Sequence, residues 1–246
     1  MIRETATSRA DHHRRLIWTD RLVEKFWDYY STNEYDYFAN ANGQQIIKSV
    51  RKFFPKGSKV LDLGCGAGGL TRELLRQGFS VAACDYSTET VRRARIAFSE
   101  NELFLGATVV EEILESGAKF DVIFLVEVVE HLNDQHLEAT IQVVKRLLSS
   151  GGVLVVTTPN EELLDEETVY CPCCDHSFHR WQHVRSWSAN ALEIYFSKHA
   201  FRSICVKSTN FSLNAKDGFL AHWIIRPLRH ILRRKNPHLM LVAKQQ

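Results

Sequence analysis

No stretch of the 246-residue sequence approaches the roughly 18 uninterrupted apolar residues that a membrane-spanning helix needs. The opening residues, MIRETATSRADHHRRL, lack the apolar centre of a secretory signal. A paired cysteine framework is missing as well. Of six cysteines, Cys65, Cys84 and Cys205 stand alone in apolar or glycine-rich stretches. These absences argue against a membrane span and a disulfide scaffold, and they set the expectation of a cytoplasmic protein with reduced thiols. Repeats and low-complexity tracts are absent too. Acids stop at Asp217, whereas Arg226, Arg229, Arg233, Arg234, Lys235 and Lys244 follow. Residues 215–237 thus form a basic connector, in which Ile224, Ile225, Leu228, Ile231 and Leu232 share one side of a short amphipathic helix. Two readings stay open for it: peripheral contact with an anionic membrane, and a linker packed on the sheet.

What is present is the composition of a folded domain: 45% hydrophobic, 24% charged, net charge +2. Residues 1–54 read as a helical cap, and Pro55 and Gly57 punctuate its end. An alternation follows. KVLDLGCG, SVAACDYS, LFLGATVV, KFDVIFLVEVV and GVLVVTTPN read as strands, with GLTRELLRQG, TETVRRARIAFSEN and DQHLEATIQVVKRLLSSGG as helices between them. SANALEIYFSKHAF reads as one more helix, and RSICVKSTNF and HLMLVAKQ as two last strands. Strands alternating with helices of this length imply an α/β fold, a parallel sheet covered on both faces. Residues 55–246 are expected to form that core, interrupted after the fifth strand by a Cys/His-rich insertion at 160–187.

Gly64, Gly66 and Gly69 match G-x-G-x-x-G between a strand and a helix, and Asp85 closes the next strand. Such glycines let a backbone approach a ligand closely, and an acid there holds ribose hydroxyls, so a dinucleotide enzyme competes. Asp62 shifts the balance. A carboxylate just before the loop would repel pyrophosphate, yet suits a ligand bearing ammonium and sulfonium groups.

VLDLGCGAGGLT followed by VAACDYS resembles the first two motifs of class I S-adenosylmethionine-dependent methyltransferases. That resemblance covers about residues 55 to 210. It implies a Rossmann-like sheet, mostly parallel, of seven strands with an antiparallel last one. It also implies S-adenosylmethionine beneath a loop of Gly64, Cys65 and Gly66, with Asp62 near its amino acid end. By the same resemblance Asp85 takes the ribose hydroxyls, Tyr86 flanks the adenine, and Val126 and Glu127 close the cofactor side. The family's acid or amide after the third strand is missing; Thr108, Val109 or a backbone group stands there.

The fourth strand ends in VEVVEHL, where Glu127, Glu130 and His131 would share one face if the segment turned helical. This E-x-x-E-H arrangement resembles quinone-biosynthesis O-methyltransferases and the enzymes that methylate small-RNA 3′ ends on the 2′-oxygen. In the RNA group these residues and a later histidine hold a divalent metal, and His183 stands at the corresponding position. Glu127, Glu130, His131 and His183 are therefore a candidate site for Mg²⁺, Mn²⁺ or Zn²⁺. Three readings stay open for the cluster: metal binding, His131 as a metal-free general base, and a structural role. Glu130, His131 and His183 are the candidate catalytic residues.

CPCCDHSFHRWQHVRSW, residues 171–187, supports two readings of its own. Cys171, Cys174, His179 and His183 have the ligand types of a zinc knuckle, though closing on one ion would need a tight turn at Asp175 to Phe178. Alternatively the segment is a lid with free thiols, its aromatics walling an acceptor pocket and His183 reaching Glu130 and His131. The combined expectation is methyl transfer to an oxygen of a hydroxylated small molecule or glycan-type, sugar-containing metabolite. RNA 2′-O-methylation is the alternative, disfavoured by near-neutral charge; a non-catalytic cofactor-binding regulator is a third reading. Neither the acceptor's identity nor the oligomeric state is encoded in any motif.

Overall fold

The computed structural model describes residues 14–31, 37–212 and 236–246. The basic segment proposed at 215–237 falls outside them except for Asn236 and Pro237, so Ile224 to Leu232 are not described.

Seven strands form the central sheet: β2 (Lys59–Leu63), β3 (Ser80–Cys84), β4 (Phe104–Thr108), β5 (Phe120–Val126), β6 (Leu148–Pro159), β9 (Phe201–Thr209) and β10 (His238–Gln245). Their order is β4-β3-β2-β5-β6-β10-β9. β10 runs antiparallel to both β6 and β9, while the other pairs are parallel. The last strand in sequence is therefore inserted beside β6. Leu61, Ile123, Leu125, Leu154, Val156, Leu239 and Leu241 point to one face, and Val60, Val122, Phe124, Val155, Met240 and Val242 to the other. Burial on both faces explains why these strands read as continuous apolar runs rather than alternating ones.

Helices α3 (Gly69–Arg76), α4 (Thr88–Phe98), α5 (Val110–Glu115), α6 (Asp134–Leu147) and α7 (Ala189–Lys198) cover the sheet. Several begin at side-chain caps: Ser87 accepts from Thr90 N at 3.2 Å, Asn133 from His136 N at 2.8 Å, and Ser188 from Ala191 N at 3.2 Å. The chain turns from α6 into β6 at Leu148, so the Ser-Ser-Gly-Gly run reads as strand rather than helix stop. No helix among the described residues is long and apolar enough to cross a membrane.

The N-terminal part supplies α1 (Asp20–Ser31) and α2 (Phe38–Val50). Helix α2 lies so close to the start of α3 that a Cβ on Gly69 would sit 2.1 Å from Asn40 Oδ1. The third glycine of the motif is thus required by helix packing.

After β6 the chain leaves the sheet at Asn160 and returns at Trp187, which bridge each other in parallel. Between them β7 (Thr168–Cys171) and β8 (His176–His179) form an antiparallel hairpin, extended by the two-residue β1 (Arg14–Arg15) parallel to β8. Trp18, ahead of α1, meets Phe178 of the hairpin at 5.8 Å. The descending limb is strapped to the loop after β5. Val184 N donates to Glu130 O at 2.9 Å and Arg185 Nε to Leu132 O at 2.8 Å. These two ties bring residues about 50 positions apart in sequence into one site.

Candidate active site

In a sheet of this order the chain leaves β2 toward β3 on one side and has β5 on the other, so a crevice opens beyond their carboxyl ends. The glycine loop stands there. Gly64 N and Cys65 N both donate to Cys84 O, at 2.8 and 3.1 Å, which folds the loop back over the end of β3. Gly66 takes φ +48°, and a Cβ on it would lie 2.4 Å from the Tyr37 ring. Only glycine fits under that ring.

Asp85 holds the loop from the other side: Oδ2 accepts from Gly66 N at 2.9 Å and Oδ1 from Ser87 N at 3.1 Å. Each oxygen keeps a second lone pair for a ligand hydroxyl. Burial raises the Asp85 pKa, and the bonds from Gly66 and Ser87 oppose that rise. Ser87 in turn donates to Asp28 of α1 at 2.9 Å, so the N-terminal part is tied to the same corner. Tyr86 is 65% exposed and free to stack on a ligand. Past β4, the Thr108 carbonyl accepts from Asp85 N at 3.3 Å, while its buried hydroxyl has no partner among the described residues.

Asp62 is 1% exposed and accepts from Thr71 Oγ1 at 2.6 Å. Burial lifts its pKa to about 6, against the opposing Thr71 bond. An acid whose folded pKa is raised holds its proton longer in the folded than in the unfolded state. Stability of the ligand-free protein therefore falls as pH rises from about 4 to 6, by about 3 kcal/mol from this group. We expect Asp62→Asn to remove that part of the pH dependence, measured as the difference between urea unfolding curves of the two proteins at pH 4.5 and 7. Parallel pH profiles for the two would show that Asp62 ionises freely.

Glu127, Glu130 and His131 do not lie on a helix. Glu127 adopts φ +52°, which breaks the strand direction, and His131 N bonds Val128 O in a tight turn. A non-glycine residue in this region costs roughly 1–3 kcal/mol, and here it is over-determined: Glu127 N donates to Thr157 O at 3.0 Å and Thr157 Oγ1 to Glu127 Oε1 at 2.8 Å. Next along β6, Thr158 Oγ1 donates to Glu130 Oε2 at 3.0 Å. The two threonines thus aim the two carboxyls.

Glu130 is 1% exposed, and its Oε1 is buried with no hydrogen-bond donor among the described residues. His131 Nε2 lies 4.0 Å from that oxygen. The His183 ring approaches the His131 ring edge-on at 4.8 Å. One ligand atom each from Glu130, His131 and His183 lies within 4.8 Å of the others. Burial and the neighbouring Glu127 charge push the Glu130 carboxyl up, burial likewise raises Glu127, and burial and His183 push the His131 imidazole down. All three changes are what desolvation does to charged forms where no compensating charge is at hand.

A second set adjoins the first. Glu162 contacts His183 Nδ1 and, at 3.4 Å, His179 Nε2. Gln182 is 1% exposed and bridges the two halves of the site: it accepts from Trp27 Nε1 at 3.0 Å and donates to His131 O at 3.0 Å. Trp27 meets His131 edge-on at 4.7 Å, and Tyr30 meets Trp181 at 5.6 Å. Aromatic rings from α1 and the insertion therefore flank the acid-imidazole cluster.

The proposed four-ligand knuckle is not assembled. The tight turn lies at residues 172–175, between Cys171 and His176, and contains Cys173 and Cys174, with Asp175 at φ +57°. Residues His176–His179, where the knuckle needed its turn, are extended strand. Cys171 pairs with His176 at the hairpin tip, whereas His179 pairs with Thr168 at its base. Three ladder steps of about 3.3 Å each separate them, too far for one ion. His183 faces Glu162 and His131 instead.

The Rossmann-like sheet and the glycine loop held by Asp85 have the arrangement of the class I S-adenosylmethionine-dependent methyltransferase fold. Consistent with this, the family model described as "Methyltransferase domain" matches residues 35–214, and the chain belongs to that family. Residues 35–214 are thus a domain of the S-adenosylmethionine-dependent methyltransferase family. Curated relatives include the ubiquinone biosynthesis O-methyltransferases of Caulobacter sp. (strain K31), 35% identical over 111 residues, and of Brucella anthropi, 39% identical over 111 residues. Each match covers 44% of this chain and 43% of the relative, less than half its length. Among solved structures, an S-adenosylmethionine-dependent methyltransferase from Clostridium acetobutylicum superposes with a TM-score of 0.60 at 17% identity, covering 91% of this chain and 98% of that one. The glycopeptide N-methyltransferase MtfA, complexed with sinefungin, gives 0.57 at 13%, covering 83% and 94%. At these identities the structures share the fold alone.

Four groups in the site had not been singled out in the sequence. Thr157 and Thr158 could be found from the adjacency of β5 and β6, since hydroxyls ending one strand face carboxyls ending its neighbour. Gln182 and Glu162 carried no signal; Glu162 is one of five acids between residues 161 and 167.

Proposed function

We propose that the chain methylates a hydroxyl oxygen of a small acceptor, a hydroxylated or sugar-containing metabolite, with the acceptor held at Glu130, His131 and His183. The observation that carries this reading is the buried, donorless Glu130 Oε1 facing two imidazoles beyond β5. One carboxylate and two imidazoles fit a divalent cation such as Mg²⁺, Mn²⁺ or Zn²⁺, with Glu127 beside Glu130 as a further carboxyl. A bound cation would supply positive charge that acidifies an acceptor hydroxyl. S-adenosylmethionine supplies a methyl group already activated on sulfur. The protein's own task is to align the acceptor oxygen and dispose of its proton. His131 suits that task because burial pushes its imidazole pKa down and favours the neutral, proton-accepting ring, and the His183 ring stands edge-on beside it.

We assign cofactor binding to Asp62, Gly64, Cys65, Gly66, Asp85, Tyr86, Val126 and Glu127, which stand at or just beyond the carboxyl ends of β2, β3 and β5. Relatives named as O-methyltransferases support oxygen as the acceptor atom. The test is methyl transfer from labelled donor to a panel of hydroxylated acceptors, before and after exhaustive chelation, with Mg²⁺, Mn²⁺ and Zn²⁺ added back. Activity lost on chelation and restored by one of these ions is expected. Full activity in demetallated protein would eliminate the cation and leave His131 as the base; label recovered on RNA alone would overturn the small-molecule acceptor.

A further inference from the structure

We propose that Glu162 is a positioning residue that fixes the tautomer of His183, so that the His183 Nε2 lone pair is presented to the Glu130–His131 side of the site. The inference rests on the acceptor-site reading above and adds to it a residue from the insertion.

The hydrogen-bond partners decide where the protons sit. His179 Nδ1 accepts two main-chain donors, Trp181 N at 3.2 Å and His183 N at 3.3 Å. A neutral imidazole that accepts at Nδ1 must carry its proton on Nε2. His179 therefore presents an N–H toward Glu162 Oε1, 3.4 Å away. With that lone pair absent, His179 cannot join Glu162 and His183 as a metal ligand, although the three groups are close enough to form such a set.

Glu162 has its other oxygen against His183 Nδ1. A carboxylate is an acceptor only, so the proton of neutral His183 sits on Nδ1 and its Nε2 is unprotonated. The ring has little freedom to choose otherwise. His179 stacks on one face at 4.3 Å with 17° between planes, His131 closes the edge at 4.8 Å, and the side chain is 9% exposed. The residues on either side are pinned as well, Val184 by its main-chain N to Glu130 O and Gln182 by its side-chain Nε2 to His131 O. The arrangement is a carboxylate–imidazole pair, in which the outer carboxylate orients the ring and raises the basicity of the inner nitrogen. Such a nitrogen serves equally to bind a cation or to take a proton from a hydroxyl.

The experiment compares wild type, Glu162→Ala and Glu162→Asp as full-length proteins. Long-range ¹H–¹⁵N NMR at a pH where His183 is neutral reports the tautomer, with the His183 signals assigned by their loss in His183→Ala. S-adenosylhomocysteine binding by calorimetry checks that each variant is folded. Wild type is expected to show His183 protonated on Nδ1. Glu162→Ala is expected to populate the Nε2–H form and to lose about 10–100-fold in Mn²⁺ affinity, with S-adenosylhomocysteine affinity unchanged. Glu162→Asp, which keeps the acceptor, is expected to restore the Nδ1–H form at least in part. Wild-type His183 protonated on Nε2, or a tautomer that is the same in Glu162→Ala, overturns the proposal. A tautomer shift without a change in Mn²⁺ affinity upholds the positioning role and counts against the cation, so the two readings fail separately.

Discussion

His131→Ala is expected to lower the rate constant of methyl transfer by about 10²–10⁴-fold, the range for removing a positioned acid-base group. The loss should appear in kcat, because the role proposed for the imidazole is on the acceptor proton and not on the methyl donor. S-adenosylhomocysteine affinity should stay within about twofold, since the neighbours of this ring are Trp27, His183 and Glu130, whereas ribose binding is assigned to Asp85. His131 is also partly structural: Trp27 packs on it and Gln182 holds its carbonyl. His131→Asn, which preserves some bulk and polarity, therefore accompanies the alanine variant. Groups that act as a unit lose activity once, so the His131→Ala/His183→Ala pair should be no worse than the more damaging single change by more than about tenfold. Retention of near-wild-type kcat in His131→Ala would remove the imidazole from the reaction and leave it as packing between α1 and the insertion.

Asp85→Ala is expected to weaken S-adenosylhomocysteine binding by about 10²–10⁴-fold. The estimate takes two hydrogen bonds from ribose hydroxyls to a carboxylate at about 1.5–3 kcal/mol each. A second effect adds to it. Asp85 is the acceptor that holds Gly66 N and Ser87 N, so its removal leaves two donors without partners and loosens the loop meant to lie under the ligand. Asp85→Asn keeps one acceptor oxygen and should fall between wild type and alanine. Calorimetric titration gives the affinities, and thermal unfolding without ligand separates the loop's contribution from the ligand's. Equal affinity in Asp85→Ala and wild type would move the ribose contacts elsewhere in the crevice.

The hairpin shows where residue spacing misleads. Cys171, Cys174, His179 and His183 have metal-ligand types at close intervals, and a chain coiled tightly enough could gather them. The alternating Thr168-Val169-Tyr170 and Ser177-Phe178-His179 segments instead pair as strands. Extended backbone lengthens each step to about 3.3 Å and carries the cysteines away from the histidines. Likewise the i, i+3, i+4 spacing of Glu127, Glu130 and His131 suits a helix face, yet the left-handed Glu127 makes a turn and still brings Glu130 and His131 together. Local spacing gave the right partners there for a different geometric reason.

Sequence by itself determined the seven strands of the main sheet and four of its covering helices, the doubly covered sheet, and the glycine loop with Asp62 and Asp85, but not α5 or the β7–β8 hairpin. Each depends on short-range pattern: apolar runs for buried strands, capping residues for helix starts, glycines where the backbone turns back on itself. Tertiary structure decided the partners that no local pattern encodes. Whether His183 would meet cysteines or carboxylates depended on the hairpin's register and on two hydrogen bonds, one from the Val184 main chain to Glu130 O and one from the Arg185 side chain to Leu132 O. Those contacts join segments about 50 residues apart, and their energy is gained only when the whole fold closes. For the same reason Glu162, one acid among several in the insertion, acquires a role only from the two imidazoles that folding sets against it.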